Sequence, residues 1–164
     1  MARIIPIAGR FSVMLICLTL VACGGSSFEE LGADLDRIPV PDEWRFAETV
    51  TNGPGGDIEC VPGFTVPSCP KVTRYYVAGG GSALEVSTHA AEMLTEAEFT
   101  MDDPSNDPCD RSLGGSLCSV HATAGDRRVW VQVWSPDYDF SDVSIEDRSG
   151  PIVSVSVWRE AKDS

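Results

Sequence analysis

Residues 119–134 read SVHATAGDRRVWVQVW, in which two alternating runs flank a central Gly-Asp pair. A two-residue Gly-Asp connection between alternating runs is typical of a β-hairpin. Folding about this pair sets Val120 opposite Val131, with Ala122 opposite Val129, so that one face of the hairpin is apolar. We therefore predict that this face packs on the core of the domain.

The opposite face of the same hairpin carries polar and aromatic side chains. A further alternating strand is predicted over residues 151–158, and it adds a tryptophan to this face. Aromatic rings offer contact area and polar neighbours fix a ligand's orientation, so this face is a candidate binding surface. Its candidate residues are His121, Arg128, Trp130, Gln132, Trp134 and Trp158. The alternative is a second small core, covered by the first strand or by residues 135–150.

Local patterns indicate the remaining elements. Residues 44–51 and 71–78 are rich in β-branched and aromatic side chains and predict two more strands. Ser82 and Glu85 have the spacing of a capping box, and apolar residues then recur at helical spacing as far as residue 98. The sequence therefore predicts an α+β fold, with one amphipathic helix packed on an antiparallel sheet of four or five strands.

The N-terminal segment has the three zones of an export signal. Arg3 and Arg10 make its start basic, residues 11–22 are almost continuously apolar, and a small residue precedes Cys23. About a dozen apolar residues are too few for a spanning helix, which needs roughly 20, but they suit a secretory signal. We expect residues 1–22 to be a signal peptide rather than a buried core helix, because the apolar run starts the chain and ends in a cleavage pattern.

The run Leu20-Val21-Ala22-Cys23 resembles the lipobox of bacterial lipoproteins. The resemblance implies that diacylglycerol is joined to the Cys23 sulfur and that the chain is cut before this residue. It also implies a lipid-anchored location on the extracytoplasmic side of the cell membrane. Two acyl chains give stable anchoring, whereas one gives only marginal binding. The rest of the chain is diffusely similar to small lipoproteins of GC-rich Gram-positive bacteria, and this similarity implies no activity.

The predicted mature chain divides into a tether and one domain. Residues 23–38 start with small Gly and Ser residues after the cysteine, and we expect a lipidated, flexible tether there. Within it, residues 28–37 have the pattern of a short helical turn but are too isolated to predict a helix. Pro39 and Pro41 mark the entry to a single α+β domain over residues 39–164.

Four further cysteines follow the lipobox, and they are Cys60, Cys69, Cys109 and Cys118. An even number in an exported chain indicates disulfides, and three pairings are possible. Equal spacing favours Cys60–Cys69 and Cys109–Cys118, each of which would close a small loop. A zinc site would need C-x-x-C spacing or nearby histidines, and the Asp-rich residues 101–110 lack the EF-hand pattern, so no cofactor or metal is predicted.

Charge and motif content limit the function classes. The chain has 25 acidic and 12 basic residues and a net charge of −13, which argues against nucleic acid and against charge-driven adhesion to anionic lipid. It contains no G-x-S-x-G, H-E-x-x-H or C-x-x-C motif. We therefore expect a non-enzymatic binding or accessory protein of the cell envelope, with a protein or glycan partner. The alternatives are a small secreted hydrolase and a purely structural envelope protein.

Overall fold

The computed structural model describes residues 28–52, 70–104, 107–109, 115–141 and 143–159. These residues form two helices and one antiparallel sheet of six strands in the order β1-β2-β6-β5-β4-β3. The elements are α1 (Phe28–Asp36), β1 (Arg45–Asn52), β2 (Lys71–Val77), α2 (Ala83–Glu96), β3 (Thr100–Met101), β4 (Cys118–Ala124), β5 (Arg127–Trp134) and β6 (Ile152–Arg159). The predicted α+β class is confirmed, but the structure has one helix more than predicted and a sixth, two-residue strand at the sheet edge.

The β4–β5 hairpin forms in the predicted register. Val120 lies opposite Val131, and His121 lies opposite Trp130. Gly125 has a φ of 65° at the first turn position, which glycine adopts without steric cost and a type II′ turn requires. The turn therefore determines which side chains of β4 and β5 share a face of the sheet.

One face of the sheet, the helix face, packs against both helices. Its core consists of valines from the central strands together with apolar residues of α2. The buried valines are Val72, Val120, Val129, Val131, Val133, Val153, Val155 and Val157, and the α2 residues are Val86, Ala90, Met93 and Leu94. Each fully buried aliphatic side chain of this size contributes about 1.5–3 kcal/mol. The predicted core face of the hairpin is confirmed.

The predicted capping box begins α2. The backbone N–H of Ser82 donates to the Glu85 carboxylate at 2.7 Å, and the Ser82 hydroxyl accepts from the Glu85 backbone N–H at 3.3 Å. These two bonds satisfy backbone donors that a helix start otherwise leaves unpaired. They fix the point at which the chain leaves the glycine turn and crosses the helix face.

Helix α1 corrects the predicted tether, which included residues 28–38. Leu31 and Leu35 lie one helical turn apart, are almost fully buried and belong to the core of the helix face. The prediction was wrong here because a short acidic segment with a glycine has little helical stability of its own and depends on packing. The folded domain therefore includes α1 from Phe28, and residues 23–27 lie outside the described part of the chain.

Asp34 joins α1 to the ends of two strands. Its side chain is only 3% exposed, and its carboxylate accepts hydrogen bonds from Arg159 at 3.1 Å and from Arg127 at 3.5 Å. Arg37 adds a third contact at 3.4 Å. A buried carboxylate is tolerated when it is paired, so these arginines hold the first helix on the sheet.

The face turned away from the helices is the outer face, and its centre is drier than the sequence indicates. Alternation of valine and serine in β6 predicts a wetter side, yet Ser154 and Ser156 are 2% and 4% exposed. The reason is that β6 lies between β2 and β5 in the middle of the sheet. Ser156 shares a hydrogen bond of 2.8 Å with Thr73, and Ser154 accepts one of 3.0 Å from the indole N–H of Trp134.

One predicted disulfide, Cys109–Cys118, is confirmed. It connects the first residue of β4 to the segment that precedes it along the sheet edge. Cys23, Cys60 and Cys69 lie outside the described residues, so the lipidation and the second disulfide stay predictions.

Candidate functional site

The predicted binding face does not include Trp134, which is only 8% exposed. Tyr138 and Phe140 pack their rings against it, with centroid distances of 4.5 and 5.3 Å. The assignment of Trp134 to an open face is therefore wrong, and at this end the alternative of a second small core is correct. No local pattern in the sequence indicates how closely the segment after β5 folds back.

Hydrogen bonds within that segment and one close backbone approach set its path. The Arg148 guanidinium donates to the carbonyl of Tyr138 at 2.6 Å and to that of Pro136 at 3.3 Å. Gly150 passes so close to β2 that an added Cβ atom would lie 2.2 Å from the carbonyl oxygen of Ala78. A side chain at residue 150 would push the returning chain away, so the segment that covers Trp134 requires glycine at this point.

The other five candidate residues lie together on the remaining part of the outer face, and all are half-buried; they are His121, Arg128, Trp130, Gln132 and Trp158. His121 lies opposite Trp130, and their ring centroids are 4.9 Å apart. Arg128 lies opposite Trp158 on the next strand. The Trp130 indole nitrogen is buried and has no hydrogen-bond partner within the described parts of the chain. The structure therefore brings together five of the six candidates around His121 and Trp130.

A cavity of about 460 Å³ opens beside His121, between α2 and the segments 101–104 and 107–108. It forms because β3 pairs with β4 over only two residues before the chain leaves the sheet edge. The amide of Asp102 donates to the carbonyl of His121 at 3.0 Å, and the chain returns where Ser119 donates to the carbonyl of Pro108 at 2.8 Å. Among the described residues, the cavity lies between these two bonds and α2.

The lining of this cavity combines apolar and acidic side chains. The lining residues are Ser87, Thr88, Ala91, Met101, Asp102, Asp103, Pro104, Asp107, Pro108, Ser119, Val120 and His121. Only His121 among them was a candidate from the sequence. The available signal was the density of aspartates in residues 101–110, which the sequence alone does not place against a helix.

The electrostatics of the cavity centre on His121 and Asp102. Burial lowers the pKa of the His121 imidazole, and the nearby Asp102 carboxylate opposes this shift. Asp102 also lies 3.9 Å from the Arg128 guanidinium. The Asp107 carboxylate accepts a hydrogen bond of 2.9 Å from the backbone of Cys109, which holds the returning chain. The arrangement favours a cationic group above an apolar surface.

A second groove, of about 540 Å³, lies between β1 and the segment from 143 to 150. Its charged groups face one another: Arg45 pairs with Asp147, and Glu48 accepts from the backbone N–H of Ser144 at 3.1 Å. Because these groups satisfy one another across the groove, it is the weaker candidate. Among the residues that the structure describes, no three His, Cys, Asp or Glu side chains are placed to hold a metal ion.

Comparison with known proteins found no family model, curated protein or solved structure that matches the chain at a significant level. Neither α1 nor α2 is long and apolar enough to cross a bilayer, and the described residues contain no other such helix.

Proposed function

We propose that this chain is a lipid-anchored, extracytoplasmic protein of the cell envelope that binds a protein partner without chemistry of its own. The lipobox ending at Cys23 supports the proposed lipid-anchored location. The Cys109–Cys118 disulfide is compatible with it, because disulfides persist in oxidising compartments.

One structural observation carries the binding role: the cavity beside His121 has an apolar floor and an acidic rim. Its volume of about 460 Å³ lies within the roughly 300–1,000 Å³ typical of ligand sites. Ala91 and Met101 provide apolar surface, and Asp103 and Asp107 provide negative charge at the rim. A lysine or arginine side chain matches this lining, since its stem is apolar and its head is cationic. The occupant that fits is a basic side chain of a partner protein.

The two alternatives, a glycan partner and a hydrolase, account for fewer features of this region. A glycan would stack on aromatic faces, but Trp134 is covered and Trp130 is half-buried. A hydrolase needs a base that is oriented by a third group. Within the described parts of the chain, His121 packs on Trp130 and makes no hydrogen bond to a carboxylate through its ring. The protein-binding proposal accounts for both the acidic rim and the apolar floor.

Cys23→Ser tests the proposed membrane anchoring. Without the thiol no lipid can be attached, so the domain is expected to leave the membrane fraction. Cys17→Ser is the matched control, because this residue lies in the predicted signal peptide and its loss should change nothing. Retention of Cys23→Ser in membranes with an uncut N-terminus contradicts the lipoprotein proposal.

Filling the cavity tests the binding role. Ala91→Met adds a side chain into the floor, and the double variant Asp103→Asn/Asp107→Asn removes rim charge while an amide oxygen at residue 107 can still accept from Cys109. Both should lose a partner that the wild-type domain captures from detergent-solubilised membranes. Glu92→Gln, an exposed change in α2 outside the cavity lining, should keep it.

Two outcomes contradict the binding proposal. One is full retention of the captured partner by Ala91→Met. The other is binding of the wild-type domain to purified cell-wall glycan alone, which supports a glycan partner instead. Thermal unfolding of each variant, followed by circular dichroism, separates loss of binding from loss of folding.

A further inference from the structure

The first turn of α1 lies at one end of the sheet. The Glu30 carboxylate is 3.9 Å from the guanidinium of Arg159, the last residue of β6. Arg159 in turn lies opposite Arg127, which follows the β4–β5 turn. Lys71 starts β2 at this same end, opposite Trp158. We call this end, marked by Glu30, Lys71, Arg127 and Arg159, the α1 end of the domain.

The covalent distance from Cys23 to this end is short. Four residues separate Cys23 from Phe28, where α1 begins. Five residue steps span at most roughly 18 Å even when fully extended. The headgroup layer takes up roughly 5–8 Å of that length on each side of a bilayer. A compact domain of this size has a radius of gyration of roughly 14 Å and is therefore about 35 Å across. With lipid on Cys23, the first turn of α1 cannot lie at the far side of the domain from the membrane.

We propose that the α1 end faces the bilayer and that Trp158, with Arg128 and Lys71 beside it, contacts the lipid headgroups. This inference rests on the proposed function, because it requires the lipid anchor. Trp158 lies directly between Arg128 and Lys71 on the outer face. Tryptophan, lysine and arginine are the side chains that favour the membrane–water interface, where an apolar body and a polar group are both accommodated.

This orientation gives Trp158 a role different from that of its neighbours. Trp134 lies opposite Ile152, the first residue of β6, whereas Trp158 is the last but one residue of the same strand. The two tryptophans therefore mark opposite ends of the outer face. The β4–β5 turn also faces the membrane, and the chain that covers Trp134 faces away from it.

Fluorescence quenching tests the orientation. The lipidated mature protein is reconstituted in phosphatidylcholine vesicles that carry spin-labelled headgroups, and tryptophan emission is compared with that in unlabelled vesicles. Quenching is expected in the wild type, and Trp158→Phe should lose most of it. Trp134→Phe is the matched control and should keep it, because Trp134 lies at the far end and under the returning chain.

A second variant tests the orientation without a substitution at residue 158, so a folding defect caused by that substitution cannot explain the result. A flexible insertion of about twelve Gly and Ser residues after Ser27 lengthens the tether several-fold and should weaken quenching, while the protein still floats with the vesicles. Unchanged quenching after this insertion, or equal losses in Trp158→Phe and Trp134→Phe, overturns the orientation. Absence of quenching in a protein that floats also overturns it but leaves the anchor intact. Failure to float contradicts the proposed function instead.

Discussion

The two faces of the sheet are built from the same alternating strands, yet they are covered in different ways. On β5, Val131 and Val133 point to the helix face and are fully buried beneath the helices. On the other side of the same strand, Trp134 is buried against Tyr138 and Phe140, while Trp130 stays half-buried. Alternation therefore tells which side chains share a face, and distant segments decide whether that face meets water or protein.

The largest expected effect distinguishes the two tryptophans of β5. Trp134→Ala should destabilise the domain by about 4 kcal/mol, because it empties a packed site. Trp130→Ala should cost about 1–2 kcal/mol, since less of its surface is removed from water. Urea unfolding followed by circular dichroism measures both. Equal losses would mean that the outer face is one continuous core, and that the alternative of a second small core holds for Trp130 as well as for Trp134.

A second prediction compares two carboxylates of α1. Asp34→Ala leaves Arg127 and Arg159 without their buried partner and should cost about 3 kcal/mol. Asp36 pairs with Arg74 at 2.6 Å, but its side chain is 67% exposed, so Asp36→Ala should cost about 0.5 kcal/mol. The same urea titration decides between them. A small loss for Asp34→Ala would indicate that α1 docks mainly through its leucines.

The third prediction concerns the sheet edge where the cavity opens. Cys109→Ala/Cys118→Ala removes a disulfide that closes a loop of about ten residues, which should cost about 2.5 kcal/mol in the chain-entropy model. The variant should also capture less of the partner than its loss of stability alone explains. The reason is that the segment before Cys109, which lines the cavity, is no longer tied to β4. A variant with normal capture would show that the bonds at His121 and Ser119 hold the wall by themselves.

Local signals in the sequence were sufficient for the hairpin and for α2. The Gly125-Asp126 turn and the Ser82–Glu85 box each lie within a few residues of the structure they determine, and both formed as predicted. Helix α1 was missed because it is held by distant contacts: its leucines pack in the core, and Asp34 binds Arg127 and Arg159, more than ninety residues away in the chain.

The candidate site was predicted only in part for the same reason. His121 and Trp130 are neighbours across a hairpin, so the sequence could pair them. The cavity needs Ala91 of α2 to approach Asp103 of the edge segment, and no local pattern indicates that approach. Burial of Trp134 depends on how the chain returns from Tyr138 to Gly150, which is again a tertiary property.

The smallest expected effect is a pH dependence that reports how dry the outer face is beside Trp130. Burial lowers the pKa of His121 from its ordinary 6.5, so below about pH 6.5 the unfolded chain binds a proton that the folded chain resists. Stability should therefore fall as the pH is lowered through this window. His121→Phe keeps a ring against Trp130 but cannot titrate, so its free energy of unfolding should fall less than that of the wild type between pH 7.5 and 5.5. Equal falls would mean that water reaches His121 as freely as in the unfolded chain. The half-buried part of the outer face would then be open to water. It would differ from the buried helix face more than its side-chain burial indicates.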